Sequence, residues 1–364
     1  MRNTTQINNN NINNRYDLIS TSMMLDNEVS DANYTKVHGR EFSLSTAGNA
    51  CKWAATHPSR DEYSLSKCVS SFQYAQSKSQ QFRGHNLCWG NNNPQWLLDG
   101  NFSENELKSI LEDHVTSVMK GLEKHGDVYA WDVVNEACVS NELYLASEKT
   151  SGFFKDNFWY PTLPNYVDVA FQAARKANPN TILMYNDFGQ NTNVSSGGGK
   201  AEVVYDMVSD MINRKIPIDG VGLQQHLSVD DNYAHNITVY EEIITETIRS
   251  FVEDLNLIVH ITEFDVKCPE PCDEDDLTKQ AELYAAVLRG CLSNVNVNST
   301  SSGCKSFETW GFTDKYSWLN DNRCPIGSGE HQCHALPYDE NYVPKKAYDS
   351  MMSVLTSDAV LYSH

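Results

Sequence analysis

Two glutamates each follow a run of apolar residues, where a carboxylate is costly to bury unless it has a partner or a task. Glu136 ends the segment Trp131–Glu136, and Glu263 ends the segment Leu257–Glu263. Cleavage of a glycosidic bond uses one protonated carboxyl group to assist the leaving oxygen and one ionised carboxylate to attack the sugar or activate water. Both glutamates are therefore candidate catalytic residues, although each could instead form an ion pair at the edge of the fold.

The elements that must position these glutamates alternate between strands and helices. The β-rich runs are 17–23, 41–47, 82–89, 128–135, 181–186, 220–226, 257–263 and 305–311. Ser103 and Glu106 form a capping-box pattern before one helix, and Pro344 fits the first helical position of the last one. The alternation predicts an α/β fold, a (β/α)8 TIM barrel in a single domain. An open doubly wound sheet is the alternative, but no glycine-rich nucleotide signature follows the early strands.

Polar and aromatic residues occupy the predicted strand ends, where the chemistry of such a barrel lies. They are Asn49, Lys52, His85, Trp89, Asn135, Glu136, Asn186, Asp187, Gln224, His226, Glu263, Asp265, Trp310 and Asp314. Strands four and seven face each other across an eight-stranded barrel, so Glu136 and Glu263 would flank one sugar ring, roughly 5–5.5 Å apart in a retaining enzyme. Ordinary structural roles stay open for single residues, such as an ion pair for Lys52 or a hydrogen-bonded histidine at His85.

Several longer motifs carry a family resemblance. They are Arg83–Trp89, Trp131–Ala137, Gly220–His226, Ile261–Asp265, Thr309–Trp318 and Lys345–Asp349. In this order, and over nearly the whole chain from about Asp17 to the last helix, they resemble glycoside hydrolase family 10, the endo-β-1,4-xylanases. The resemblance implies a retaining endo-1,4-β-xylanase that acts on xylan and needs no cofactor or metal.

The resemblance also implies a role for each matching residue. Glu136 would be the general acid/base and Glu263 the nucleophile, while Asn135 would hydrogen-bond the 2-hydroxyl of the sugar at the cleavage site. His226 would orient Glu263, with Asp265 behind it. Residues implied to bind xylose units or stack on sugar faces are Gln224, Lys52, Asn49, His85, Trp89, Trp310 and Trp318. Asp187, in Asn186-Asp187-Phe188, is expected to be structural.

The sequence departs from the family pattern at two positions. The family typically has Glu-Asn-x-Met-Lys-Trp after its second strand, and here Gly48 stands in place of that glutamate. The family usually has Trp-His-x-Gln after its third strand, and here Gly90 stands in place of the histidine. Losing a polar contact to bound sugar costs about 1–3 kcal/mol. We therefore expect weakened or altered binding on the non-reducing side of the cleavage site, with the catalytic pair intact.

Charge and composition narrow the classes of partner. The chain has 48 acidic and 28 basic residues, a formal net charge of -20, which disfavours nucleic acid as a partner. No apolar run is long enough to cross a membrane, so we expect no membrane association, and we expect a monomer. Residues 1–15 form an Asn-rich tract that we expect to be disordered, and residues 16–358 are expected to form the catalytic barrel.

Cysteine spacing suggests an oxidising compartment. The close pairs Cys268 and Cys272, Cys291 and Cys304, and Cys324 and Cys333 are expected to form disulfides. Reduced thiols and a zinc site are the less favoured alternatives, although His331 and His334 lie beside Cys333. The remaining cysteines, expected to be buried free thiols, are Cys51, Cys68, Cys88 and Cys138.

Sequons support the same compartment. They lie at Asn33, Asn101, Asn193, Asn236 and Asn298. Together with the cysteine pairs they favour a secreted glycoprotein, whose leader is not visible in this sequence. Two further functions stay open: retaining hydrolysis of another β-linked glycan or β-glycoside, and a barrel that binds carbohydrate without catalysis.

Overall fold

A computed structural model of the chain describes residues 19–23, 29–139, 153–194, 199–296, 299–320, 324 and 333–357. The tail predicted for residues 1–15 lies outside the described residues, as does the predicted start of the first strand at Asp17. The domain bounds 16–358 therefore stay a prediction.

The described residues contain nine strands and ten α-helices. The strands are β1 (Ile19–Met23), β2 (Leu44–Ala47), β3 (Gln81–Trp89), β4 (Ala130–Asn135), β5 (Ile182–Asp187), β6 (Gly220–Leu223), β7 (His226–Ser228), β8 (Ile258–Lys267) and β9 (Gly303–Thr309). The helices are α1 (Ala32–Glu41), α2 (Trp53–Thr56), α3 (Ser66–Ser77), α4 (Gln95–Leu98), α5 (Glu104–Glu123), α6 (Tyr166–Ala177), α7 (Lys200–Asn213), α8 (Ile237–Arg249), α9 (Glu274–Leu292) and α10 (Lys346–Thr356).

The strand order confirms the predicted fold class. Neighbouring strands follow the order β6-β5-β4-β3-β2-β1-β9-β8-β7, and β6 also pairs with β8, which closes the sheet into a barrel. Both β6 and the short β7 pair with β8, so nine strands occupy eight positions. The pairs β1–β9, β3–β4, β4–β5, β7–β8 and β8–β9 are parallel. The fold is a (β/α)8 TIM barrel, in which the C-terminal ends of the strands carry the chemistry.

The described residues form two compact units. The first comprises the residues up to Leu44 together with those from Leu223 onward, and the second comprises Ser45–Gly222. In the first unit Phe264 packs edge-on against Tyr284 and Phe307, at ring-centroid distances of 4.6 and 5.3 Å. In the second unit the core contains Val133 and Val134 of β4, which are fully buried. Such apolar strands, buried on both faces, are typical of a parallel sheet.

Three predicted element bounds were wrong. The run 41–47 begins inside α1, because Asp31 caps a helix that continues to Glu41 and buries Tyr34, Val37 and His38. The run 220–226 is broken: Gln225 has a φ of 59°, and β7 starts anew at His226. β8 continues past Glu263 to Lys267, so Glu263 lies within the strand.

Two helix starts were predicted with different success. The capping box of Ser103 and Glu106 is present at the start of α5 and is confirmed. The prediction for Pro344 was wrong, because α10 begins at Lys346 with Lys345 as its N-cap residue. Pro344 instead precedes the N-cap residue and forms an isolated β-bridge with Tyr338.

The disulfide prediction is confirmed for three pairs and wrong for one. Cys268–Cys272, Cys291–Cys304 and Cys324–Cys333 are bonded as expected. Cys51 and Cys68, expected to be free, form a fourth disulfide that links the segment before α2 to α3. The two cysteines are 17 residues apart, and this spacing did not predict a disulfide, because only the fold brings the two segments together. Cys88 and Cys138 are buried free thiols, as predicted.

The helices and side-chain clusters of the described residues bear on membrane and metal binding. None of the described helices is both long and apolar enough to span a bilayer. Within the same residues, no group of three or more His, Cys, Asp or Glu side chains is placed to hold a metal ion.

Candidate active site

Glu136 is held by the neighbouring strands of the second unit. It directly follows β4, and the indole N–H of Trp89, the last residue of β3, donates to its Oε2 at 3.0 Å. The backbone N–H of Glu136 donates to the carbonyl oxygen of Asn186 in β5 at 2.8 Å. Glu136 has a φ of 55°, in the left-handed region that costs a non-glycine residue energy and recurs at functional sites. Strands β3, β4 and β5 together therefore fix both the backbone and the carboxylate of Glu136.

Asn135 is buried beside Glu136 at the end of β4. Its Oδ1 accepts a hydrogen bond from Nδ2 of Asn186 at 2.8 Å, and the two residues are in register across β4 and β5. This bond sets which edge of the Asn135 amide is oxygen and which is nitrogen. The amide N–H₂ group of Asn135 is thereby turned away from Asn186.

Lys52 and Asn49 lie together after β2. Nζ of Lys52 donates to Oδ1 of Asn49 at 2.8 Å and lies 5.1 Å from the ring centroid of Trp89. Lys52 is buried although it carries a charge, and its residue neighbour Cys51 is fixed by the disulfide to Cys68. A buried lysine beside an amide oxygen and an indole face offers a donor for a neutral sugar hydroxyl.

His85 belongs to a buried charged network in β3 and β4. Its Nδ1 lies 2.8 Å from Oδ2 of Asp132, whose other oxygen is bound by Arg83. Burial alone would raise the pKa of Asp132, but the charges of Arg83 and His85 outweigh it and lower that pKa. Asp132 is therefore ionised and fixes the His85 ring through Nδ1. Arg83 and Asp132 were not predicted as parts of the site, although they lie in the motifs Arg83–Trp89 and Trp131–Ala137.

Glu263 is paired with His226 in the first unit. Nε2 of His226 lies 3.3 Å from Oε2 of Glu263, and Nδ1 lies 3.0 Å from Oδ1 of Asp265 as an ion pair. Burial favours the neutral imidazole, but the charges and hydrogen bonds of Asp265 and Glu263 prevail and raise the pKa of His226 to about 10. The imidazole is therefore protonated at neutral pH and bridges the two carboxylates. The contacts expected of His226 and Asp265 are thus present.

Three further predicted residues lie near Glu263 and Asp265. The indole N–H of Trp318 donates to Oδ2 of Asp265 at 2.7 Å, and its ring lies 5.0 Å from that of His226. Trp310 directly follows β9 and is buried, and its backbone N–H donates to the carbonyl oxygen of Phe264. Gln224 is buried, and its carbonyl oxygen accepts from the backbone N–H of Glu263 at 3.2 Å. Each unit thus gathers its own predicted residues around one of the two glutamates.

The space beside Gly90 is occupied by the segment before α6. A Cβ atom at Gly90 would lie 3.0 Å from Cβ of Asn157, and the indole N–H of the nearby Trp159 donates to the carbonyl oxygen of Trp89 at 3.0 Å. Asn157 and Trp159 were not predicted to lie here, because they are far from Trp89 in sequence and belong to no recognised motif. Asn157 therefore occupies the space that a side chain at position 90 would need.

The sequence was compared with models of known protein families, and one of them matches nearly the whole chain. The model described as Glycosyl hydrolase family 10 matches residues 8–354 of the chain. The chain belongs to glycosyl hydrolase family 10. The order of the motifs and the barrel fold agree with this membership.

Relatives in family 10 carry xylanase names. "Endo-1,4-beta-xylanase B" of Thermotoga neapolitana is 35% identical over 325 residues, covering 88% of this chain and 83% of that protein. "Endo-1,4-beta-xylanase B" of Neocallimastix patriciarum is 34% identical over 330 residues, covering 91% of this chain, which spans only 33% of that longer protein.

A solved family 10 structure shows the same fold. The crystal structure of xylanase 10B from Thermotoga petrophila RKU-1 in complex with xylobiose superposes with a TM-score of 0.79 at 30% identity. The alignment covers 97% of this chain and 98% of that one.

Proposed function

We propose that this protein is an endo-1,4-β-xylanase that hydrolyses internal β-1,4 bonds of xylan with retention of anomeric configuration. Membership of family 10 and the names of the relatives support the reaction class. The observation that carries the assignment of roles is the contact of Glu263 with a protonated His226, which favours an ionised Glu263. An ionised carboxylate can attack carbon, so Glu263 is the nucleophile and Glu136 the acid/base.

The proposed reaction has two steps. In the first, Glu263 attacks the anomeric carbon while the Glu136 carboxyl group protonates the departing glycosidic oxygen. This step leaves a covalent glycosyl-enzyme on Glu263. In the second, Glu136 removes a proton from water, which attacks the same carbon and releases Glu263. Each step inverts the anomeric carbon, so the product retains the configuration of the substrate.

The remaining predicted residues would bind the polymer. Asn135 would donate to the 2-hydroxyl of the sugar undergoing cleavage, a bond that strengthens as charge develops on the ring. Lys52, Asn49 and His85 would bind xylose units on the non-reducing side. Gln224, Trp89, Trp310 and Trp318 would complete these subsites by hydrogen bonding or by stacking on sugar faces. No step in this scheme calls for a metal or a cofactor.

Assays on purified polymers test this function. Reducing-sugar release from xylan is compared among the parent, Glu263→Ala, Glu136→Ala and Glu282→Ala, the last a matched change at an exposed glutamate of α9. We expect the first two variants to lose activity by about 10³-fold or more and the third to keep it. Equal release by Glu263→Ala and the parent would contradict the proposal. Parallel assays on cellulose, mixed-linkage glucan and aryl glycosides identify the preferred polymer.

Compartment and assembly are part of the same proposal. Four disulfides support secretion into an oxidising environment, and the exposed sequon residues Asn33, Asn101 and Asn236 are accessible to a glycosyltransferase. We propose a secreted monomer. Size-exclusion chromatography with light scattering would give a mass near 41 kDa for the unglycosylated monomer, and a mass near twice that value would contradict it.

A further inference from the structure

A buried tyrosine hydroxyl lies directly behind the backbone that follows Glu136. The hydroxyl oxygen of Tyr185 accepts hydrogen bonds from the backbone N–H groups of Ala137 and Cys138, each at 3.0 Å. These are the two residues that follow Glu136 in the chain, and both are fully buried. A buried N–H group without an acceptor costs about 1–3 kcal/mol, and this hydroxyl accepts from both groups. Oδ2 of Asp187 is a second, longer acceptor for the N–H of Cys138, at 3.4 Å.

The hydroxyl is itself held by a buried ion pair. Tyr185 donates to Oδ2 of Asp187 at 2.5 Å, and Nζ of Lys200 donates to Oδ1 of the same carboxylate at 2.5 Å. Oδ1 also accepts from the backbone N–H of Phe188 at 2.9 Å. Burial, and then the charge of Asp187, raise the pKa of Tyr185 well above its ordinary value, so the hydroxyl keeps its proton and continues to donate to Asp187.

The backbone that this network supports is a strained one. Glu136 has a left-handed φ of 55°, a conformation that persists only where surrounding contacts enforce it. On the N-terminal side, the N–H of Glu136 itself donates to the carbonyl oxygen of Asn186. On the C-terminal side, the two shortest backbone N–H bonds of Ala137 and Cys138 are those to Tyr185. Without the Tyr185 hydroxyl, the N–H of Ala137 would lose its hydrogen bond to that oxygen, and the N–H of Cys138 would keep the longer bond to Oδ2 of Asp187 at 3.4 Å. The support of the turn at Glu136 would therefore weaken.

We propose that Tyr185 is a positioning residue for acid/base catalysis, whose hydroxyl holds the turn at Glu136 so that the carboxyl group faces the leaving oxygen. This inference rests on the proposed function. Tyr185 acts through the backbone and does not touch substrate. Its loss therefore selectively impairs proton transfer, while attack by Glu263 on an activated glycoside continues.

Leaving-group dependence separates this role from a general effect on folding. Departure of a sugar hydroxyl needs protonation, whereas a dinitrophenolate leaves without help from an acid. In Tyr185→Phe we expect kcat/KM on xylopentaose to fall about 10- to 100-fold, and kcat/KM on 2,4-dinitrophenyl β-xylobioside to change less than 3-fold. Because Glu136 also activates water, azide should accelerate turnover of the dinitrophenyl substrate by the variant and yield a β-glycosyl azide.

A matched control removes a buried hydroxyl from another place. Tyr284 is fully buried and donates to the carbonyl oxygen of Ala335 at 2.8 Å. We expect Tyr284→Phe to lose a similar amount of thermal stability and to change both kcat/KM values by the same factor. All rates are measured at least 15 degrees below the melting temperature of each variant, with circular dichroism confirming the folded state.

A second variant decides the case if Tyr185→Phe does not fold. Asp187→Asn keeps an acceptor for the hydroxyl but weakens it, so we expect a selective loss on xylopentaose of about 2- to 10-fold. Equal losses on both substrates, or no loss on either, would overturn the inference. A parent protein inactive on every β-xyloside would instead overturn the proposed function itself.

Discussion

The indole N–H of Trp89 donates to Oε2 of Glu136 at 3.0 Å and joins the last residue of β3 to the residue that follows β4. The register of the two strands pairs Trp89 with Asn135, which brings the indole beside the carboxyl group. Trp89 is held in turn by Trp159, which donates to its carbonyl oxygen. The orientation of Glu136 therefore depends on a side chain 47 residues earlier in the chain.

Removal of this hydrogen bond is expected to reduce catalysis. The Glu136 carboxyl group becomes charged as it gives up its proton, and a hydrogen bond to a charged group contributes about 1.5–3 kcal/mol. Trp89→Phe should therefore lower kcat/KM on xylo-oligosaccharides about 10- to 100-fold. Trp96→Phe is the matched control, because Trp96 also loses one indole hydrogen bond, here to the carbonyl oxygen of His57. We expect less than a 3-fold effect for the control. Equal effects of the two substitutions would show that the bond to Glu136 has no special role.

The charge of His226 makes a prediction about stability and pH. The pKa of His226 in the folded protein is about 10, above its ordinary value of 6.5. A group with a raised folded pKa stabilises the fold fully below pH 6.5, and this contribution disappears as the pH rises through 10. The free energy of unfolding of the parent should therefore exceed that of His226→Gln most at pH 6, with the difference narrowing toward pH 10.5. Urea denaturation at several pH values measures the gap.

An exposed histidine provides the comparison for that measurement. His125 lies in the turn after α5 and is exposed. We expect His125→Gln to differ little from the parent over the same pH range. A gap between the parent and His226→Gln that stays constant from pH 6 to 10.5 would mean that His226 does not carry the proposed charge.

The sequence predicted the end of β4 and the residues that follow β2, because local patterns encode them. Glu136 lies at its expected place after β4, and Lys52 and Asn49 lie together after β2. The predictions failed where a contact distant in sequence decides the structure. Cys51 can bond to Cys68 only when α3 packs beside the segment before α2. The break in the strand at Gln225 accompanies a hydrogen bond from the Tyr240 hydroxyl to the Gln225 side chain. Tyr185 carried no motif of its own, so its role emerged only from the geometry.

The Cys51–Cys68 disulfide makes a prediction about substrate binding as well as stability. A disulfide that closes a loop of about 15 residues stabilises a protein by about 3 kcal/mol. The double variant Cys51→Ser with Cys68→Ser should lose about this much and should also show a raised KM, because Cys51 precedes Lys52. The double variant Cys291→Ser with Cys304→Ser should lose stability without a change in KM. Equal KM values in both variants would contradict a role in positioning Lys52.

The packing at Gly90 predicts that a side chain is not tolerated there. A Cβ atom at Gly90 would lie 3.0 Å from Cβ of Asn157. Asn157 has little room to move, because its side chain is bonded to Tyr166 and to the backbone of Trp159 and Tyr160. Gly90→Ala should therefore destabilise the protein by about 1–3 kcal/mol. A melting temperature equal to or above that of the parent would contradict this account.

Covalent labelling of the nucleophile tests the central claim most directly. A 2-deoxy-2-fluoro-β-xylobioside with a dinitrophenolate leaving group forms the glycosyl-enzyme but slows its hydrolysis, so the label accumulates on the attacking carboxylate. Mass spectrometry of a digest should find one fluoroxylobiosyl group on the peptide that contains Glu263, and none in Glu263→Ala. A label on a different residue, or xylan hydrolysis with no label formed under saturating reagent, would contradict the assignment of Glu263 as nucleophile.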